Sequence, residues 1–300
     1  MGVLGTSGID PGPTRISTLR VLSAIGCRAC HDLAMRPQVV AHRGASHEIA
    51  EHTLNAYLEA MGSGAGGLEC DVRLTADGHL VCVHDRDLRR TASTKGIVST
   101  MDLAELNELD FASWKNPWAE LDDEAEGVDE DDGRGVLTLR KLLETVADHD
   151  RRIEVAIETK HPTRYGGLVE KRLVEMLRDF GWDQAGAPVR IMSFSYAALQ
   201  RVERLAPEVQ LVQLFDKPNH WPVLKRMIGR DWAVGPGIKM LRQHPKVRES
   251  LGRDPRDVHV WTVNKEKDLD LCLDLGVKAV ISDKPRFMLD LLDARFGSQG

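Results

Sequence analysis

The chain has 300 residues, 42% of them hydrophobic and 29% charged, with a formal net charge of -6. That length and apolar content suit one large α/β barrel as well as two ordinary domains, and one catalytic domain is the reading adopted. The acidic balance argues against a nucleic-acid binder working through a basic face, no apolar run approaches the roughly 20 residues of a membrane span, and five scattered cysteines do not resemble a secreted disulfide framework.

Residues 1–36 are rich in Gly, Pro, Ser and Thr and sustain no helical or strand period, so a disordered extension is expected there. Within it, Cys27-Arg28-Ala29-Cys30-His31 has the spacing of a c-type haem attachment site, and its thiols that of a zinc or redox pair. No export signal precedes the motif and no second ligand pair is evident, which leaves reduced, unstructured thiols as the reading. Leu22 to Cys27 faintly resembles a lipoprotein cleavage site, but its apolar segment is shorter than the roughly 7 to 15 residues of a signal peptide. A cytoplasmic protein is expected; export is the alternative if the extension is a processed signal. Met35 is a second candidate start.

From Pro37 onward eight β-rich runs alternate with helix-like segments: 39–42, 67–74, 153–159, 189–194, 209–215, 232–238, 258–263 and 277–282. Apolar spacings of three and four predict helices over 51–61, 139–149, 168–180, 196–205 and 266–275. An eightfold βα alternation closes most naturally as a TIM (β/α)8 barrel, here over residues 37–295. The stretch 76–136 is too long for a simple crossover and reads as a small insertion after the second strand. It holds the short strand 78–84 after an Ala76-Asp77-Gly78 turn, a helix near Asp102, and an acidic block over 120–132 that reads as a solvated loop.

Side chains alternate along a strand, so Glu69 and Asp71 share one face while Leu68, Cys70 and Val72 share the other. Glu158 and Lys160 repeat the arrangement. Three carboxylates and a lysine then converge at the C-terminal mouth, where barrel enzymes keep their active sites. Carboxylates so close repel one another, and a divalent cation relieves the repulsion; all-oxygen ligation points to one Mg²⁺ or Ca²⁺. Three carboxylates, one dication, Lys160 and Arg43 sum to one positive charge, the complement of a phosphodiester. His42 ends the first strand and His84 the short strand, so one can accept a proton while the other donates. Gly44, beside Arg43, is placed to let backbone approach a ligand or simply to make a turn.

The set His42-Arg43-Gly44, Glu51-His52-Thr53, Glu69-Cys70-Asp71-Val72, Asp77-Gly78, His84-Asp85, Glu158-Thr159-Lys160 and Trp261-Thr262-Val263-Asn264 resembles the glycerophosphodiester phosphodiesterase family from about Val39 to Pro285. The resemblance implies a TIM barrel with a small insertion and metal-dependent hydrolysis of a small glycerophosphodiester to glycerol 3-phosphate and an alcohol. It implies Glu69, Asp71 and Glu158 as metal ligands, His42 and His84 as the acid/base pair, Arg43 and Lys160 as phosphate contacts, and Glu51 in support. Trp261 is a candidate wall of the substrate pocket and Asn264 a donor at its mouth, whereas core packing is expected of Phe194, Phe215 and Trp232. The family usually has Glu-Asn-Thr where this chain has Glu51-His52-Thr53, which bears on substrate fit. A lysophospholipase D or cyclising phospholipase on the same barrel is the alternative, and a non-catalytic phospholigand-binding barrel a third reading. Head group, choice of metal, order of the histidines, first nucleophile and oligomeric state stay open.

Overall fold

The computed structural model describes Gly2, residues 36–115 and residues 134–297. Cys27, Cys30, His31 and the acidic block 120–132 lie outside the described residues, as does the N-terminal extension apart from Gly2 and Arg36. Among the described residues there are nine strands: β1 (Gln38–His42), β2 (Gly67–Leu74), β3 (Leu80–Cys82), β4 (Glu154–Thr159), β5 (Val189–Ser193), β6 (Gln210–Phe215), β7 (Ala233–Pro236), β8 (His259–Trp261) and β9 (Ala279–Ser282). Eight of them are parallel, in the order β7-β6-β5-β4-β2-β1-β9-β8, with β3 antiparallel on β2. Bridges from Val234 to Val258 and from Gly237 to Trp261 carry the sheet from β7 to β8, so it closes nearly into a barrel.

The helices are α1 (Leu54–Gly62), α2 (Leu103–Asn107), α3 (Leu139–Ala147), α4 (Leu168–Asp179), α5 (Tyr196–Leu205), α6 (Trp221–Met227), α7 (Ile238–Gln243), α8 (Pro245–Gly252), α9 (Glu266–Leu275) and α10 (Pro285–Phe296). No helix among the described residues is long and apolar enough to cross a membrane. The expected helix from Glu51 starts three residues later, because Thr53 caps it: the Thr53 Oγ1 accepts the Ala56 N–H at 3.3 Å. Glu51 and His52 are thereby left in the loop that reaches the barrel mouth.

Strand parity sorts the side chains as alternation requires. Leu68, Cys70 and Val72 pack outward under the helices, in one cluster with Tyr57, Leu142 and Leu173. The inward positions form three levels. At the floor Arg190 donates to Glu154 at 2.9 Å and to Gln38 at 2.6 Å. The middle level is apolar, built from Val40, Ala156, Met192, Val212, Ala233 and Ala279. It separates the floor from the mouth, where the carboxylates stand. Each fully buried aliphatic side chain contributes on the order of 1.5–3 kcal/mol by leaving water, so the two apolar shells hold the polar mouth in place.

The insertion has a core of its own, with Val81, Leu88, Val98, Leu106 and Phe111 buried together. Its hairpin pairs Val72 with Cys82 and Leu74 with Leu80, and Gly78 turns it at φ 89°. At α2 the Asp102 N–H donates to Glu105 Oε2 at 2.8 Å, one half of a capping box.

Candidate active site

Adjacent strands β2 and β4 place Asp71 directly beside Glu158, and Glu69 sits two residues before Asp71 on the same inward face. One oxygen from each of the three carboxylates falls within 4.8 Å of the others, and all three residues are buried. Two cations are folded against them. The Lys160 Nζ stands 2.8 Å from Glu158 Oε1 and 3.0 Å from Asp71 Oδ1, while the Arg43 Nε stands 3.0 Å from Asp71 Oδ2. Arg43 takes a left-handed φ of 60°, which aims its backbone N–H at Glu69 Oε2, 3.0 Å away.

Crowding divides the charge unevenly. Burial, reinforced by Asp71, pushes Glu69 well above the usual carboxylate range and Glu158 up to about 7. Burial acts on Asp71 in the same direction, but Lys160, His52 and Arg43 outweigh it and hold Asp71 well below that range. Three buried carboxylates that cannot all ionise together fit a hard divalent cation.

Each histidine enters the mouth with a carboxylate behind it. His42 Nδ1 lies 2.6 Å from Asp283 Oδ1, and its Nε2 is 4.0 Å from Glu69 Oε2. His84 Nδ1 lies 2.7 Å from Asp85 Oδ1. Arg73 fixes the His84 backbone, donating to its carbonyl at 3.0 and 2.6 Å. Burial pushes the His84 imidazole down to about 4, so it is neutral at pH 7 with Nδ1–H toward Asp85 and Nε2 free to accept. Glu51 ties the halves together: it accepts two bonds from Arg90 at 2.7 Å and one from Arg43 at 2.9 Å. Burial opposes ionisation of Glu51, yet Arg90 and Arg43 hold its carboxyl at about 2. Arg90 also donates to Asp85 at 2.6 Å.

Several sequence expectations change in detail. Gly44 serves packing rather than ligand approach, because at φ 85° a Cβ there would stand 2.6 Å from the Ala56 backbone of α1. His52 bears on the carboxylate cluster rather than on substrate fit. It is 6% exposed, with Nε2 3.0 Å from Asp71 Oδ2 and Nδ1 2.8 Å from the Tyr57 hydroxyl. Burial lowers its pKa and favours the neutral ring, so Nε2–H donates to Asp71, while Nδ1 and the Glu69 carbonyl, 3.1 Å from the Tyr57 hydroxyl, share that hydroxyl's single proton. Asn264 donates one amide N–H to Asp283 at 2.5 Å, and its oxygen accepts from the Asp283 N–H at 2.9 Å and the Ser282 hydroxyl at 3.0 Å. Phe215 and Trp232 are core, as expected, but Phe194 is 44% exposed and meets Trp261 edge-on at 5.4 Å.

Asp283, Arg73 and Arg90 were not singled out from sequence. Asp283 was within reach of the parity argument, since Ala279, Ile281 and Asp283 alternate along β9 and its exit. Arg73 lies on β2 and Arg90 in the insertion, and no local pattern marks either.

A family model for the glycerophosphoryl diester phosphodiesterase family matches residues 42–286. The chain belongs to this family. The matched span opens on His42 and takes in Asp283, so the whole constellation lies within the family's own boundaries. A probable glycerophosphodiester phosphodiesterase 1 of Mycobacterium tuberculosis is 42% identical over 257 residues, covering 84% of this chain and 91% of the relative. A glycerophosphodiester phosphodiesterase of Bacillus subtilis is 31% identical over 260 residues, covering 82% and 83%. An Oleispira antarctica phosphodiesterase solved with sn-glycerol-3-phosphate superposes with a TM-score of 0.70 at 26% identity, over 86% of this chain and 97% of that one.

Proposed function

We propose that this family member hydrolyses glycerophosphodiesters to glycerol 3-phosphate and an alcohol, with one Mg²⁺ or Ca²⁺ held by Glu69, Asp71 and Glu158. The observation that carries the reading is the convergence of three buried carboxylates with two histidines, each backed at Nδ1 by its own carboxylate. The names of the relatives and the product bound to the Oleispira enzyme support the substrate class.

A bound dication would polarise the phosphoryl oxygens and offset negative charge as it develops. The rest is protein chemistry. Lys160 and Arg43 carry fixed positive charge at the cluster edge; burial works against protonated Lys160, but Asp71 and Glu158 more than compensate and keep it charged. His42 and His84 flank the site from β1 and from the insertion, so their Nε2 atoms serve opposite ester oxygens, one taking a proton and one giving it. The edge-on Trp261 and Phe194 pair lends an apolar wall to the glycerol carbons.

The test is release of glycerol 3-phosphate from glycerophosphocholine. Chelation should abolish it, and added Mg²⁺ or Ca²⁺ should restore it. Undiminished turnover in chelator would remove the metal from this reading.

A further inference from the structure

Beside the triad is a cavity of about 250 Å³ whose charged lining, among the described residues, is entirely basic: Arg73, Arg86, Lys160 and Arg164. That composition runs against the chain's net charge of -6. Leu74, Val98 and Val169 supply its apolar wall. Lys160 belongs both to this lining and to the carboxylate cluster, so the cavity adjoins the position proposed for the scissile phosphate.

The four cations are not equivalent. Lys160 is matched by Asp71 and Glu158, and Arg73 is bound to the His84 carbonyl. Arg86 and Arg164 are exposed, and among the described residues neither side chain has a carboxylate partner; Arg164 only lies over the Tyr165 ring at 5.8 Å. Arg86 is also shared with a second cavity of about 520 Å³, where Arg89 and Lys95 face a single acid, Asp87. A track of unneutralised positive charge therefore leads outward from Lys160 across the insertion.

Position gives the track its meaning. Phe194 follows β5 and Arg73 lies on β2, the two neighbours of β4. A diester held at Lys160 therefore has the Phe194 and Trp261 pair on one side and the arginine cavity on the other. A cationic choline arm gains nothing there. We infer that the arginine cavity is a subsite for an alcohol arm bearing a further phosphate, so that the preferred substrates are glycerophosphodiesters with a second anionic group beyond the scissile one. At about 250 Å³ the cavity is smaller than the roughly 300–1,000 Å³ of a complete small-molecule site, which suits one arm of a substrate. Arginine offers the paired donors that phosphate geometry takes.

This inference rests on the phosphodiesterase reading, and the experiment separates the two. The full chain with Mg²⁺ or Ca²⁺ is assayed on glycerophosphocholine, on glycerophosphoglycerol, and on glycerophosphoglycerol carrying a terminal phosphate. The phosphate-bearing substrate should show kcat/KM about tenfold above glycerophosphoglycerol at low salt, a gap that narrows in about 0.5 M salt as exposed charges are screened. In the R86Q/R164Q double variant the advantage should vanish, while turnover of glycerophosphoglycerol stays within about twofold of the parent. Equal kcat/KM in the parent, or an advantage that survives the double substitution, overturns the subsite. Loss of hydrolysis on all three substrates overturns the phosphodiesterase reading instead. Calorimetric binding of the phosphate-bearing diester to parent and double variant then decides the subsite by itself, equal affinities counting against it.

Discussion

Asp283→Asn isolates the support of His42 with almost no change of shape. In the parent, Asp283 Oδ1 accepts from His42 at 2.6 Å and from Ser46 at 3.2 Å, while Oδ2 accepts from Asn264 at 2.5 Å. An asparagine supplies one acceptor where two are needed. If its oxygen faces His42, its NH₂ meets the Asn264 NH₂, and Asn264 resists turning because its own oxygen is held by the Asp283 N–H and the Ser282 hydroxyl. If its NH₂ faces His42 instead, Nδ1 becomes an acceptor and the proton moves to Nε2, which reverses the role of the ring in the mouth. Burial raises the Asp283 carboxyl, but His42 foremost, with Asn264 and Ser46, brings it down to about 2 from 3.8. A shift of that size corresponds to about 2 kcal/mol, and at 32% side-chain exposure solvent screening leaves about 1–2 kcal/mol. Loss of that charge behind a ring that must take or give a proton, together with misorientation of His42, should lower kcat about 10- to 100-fold. The assay is kcat and KM for glycerophosphocholine across pH, with circular dichroism and metal titration as controls. KM and metal affinity should move little. A folded Asp283→Asn enzyme within threefold of the parent kcat, with the same pH profile, would refute the positioning role.

His84→Ala should lower kcat at least about 10²-fold with the fold intact; near-normal turnover would exclude His84 from proton transfer. Glu69→Gln should weaken Mg²⁺ or Ca²⁺ binding by at least about tenfold in isothermal titration, and unchanged affinity would remove Glu69 from the ligand set. His52→Leu takes away the Asp71 partner and should cost about 10- to 100-fold in metal affinity, whereas His52→Asn can still donate and should lose less; equal losses in the two variants would contradict a hydrogen-bonding role. Glu51→Gln tests the ion-pair hub through pH. The folded value of about 2 lies below the ordinary 4.5, so Glu51 contributes up to about 3 kcal/mol that is fully present above pH 4.5 and is lost as pH falls toward 2. The difference in urea midpoint between parent and variant should shrink over that window, and a gap independent of pH would show that packing, not charge, sets the cost.

The barrel was legible because both of its signals are local. Runs such as Val39 to His42 declare strands, and the alternation Glu69, Cys70, Asp71 assigns each side chain to the mouth or to the helix layer without knowledge of any partner. The same parity extended past Ile281 reaches Asp283. What sequence could not supply were contacts set by three-dimensional closure. Arg90 reaches Glu51 across 39 positions, and no periodicity couples a loop arginine to a distant acid. Gly44 and His52 show a subtler limit. A glycine beside a candidate phosphate contact, or a histidine in a motif that usually holds asparagine, suggests a ligand, but α1 packs against the first at Ala56 and Asp71 takes the second.

The insertion also acquires a stronger reason to exist. The barrel alone provides Glu69, Asp71, Glu158, Lys160 and His42, the groups proposed to hold metal and phosphate, but only one of the two histidines proposed for proton transfer. His84, Asp85 and Arg90 all come from the segment after β3, and Arg90 docks on Glu51 in the loop after β1. Lys115 adds a second clasp on that loop, donating to the Ser46 carbonyl and, at 3.2 Å, to the Ile49 carbonyl. The Ser46 hydroxyl donates to the His42 carbonyl at 2.7 Å, with Asp283 Oδ1 a longer second acceptor at 3.2 Å, so the clasp bears on both histidines, on His84 through the insertion and on His42 through Ser46. Loosening it by Lys115→Ala should therefore lower kcat while leaving metal affinity near the parent value, since none of the three carboxylates proposed to hold the metal is among the groups Lys115 bonds. A drop in metal affinity that tracks the loss of rate would mean that the insertion supports the carboxylate cluster rather than the proton-transfer pair.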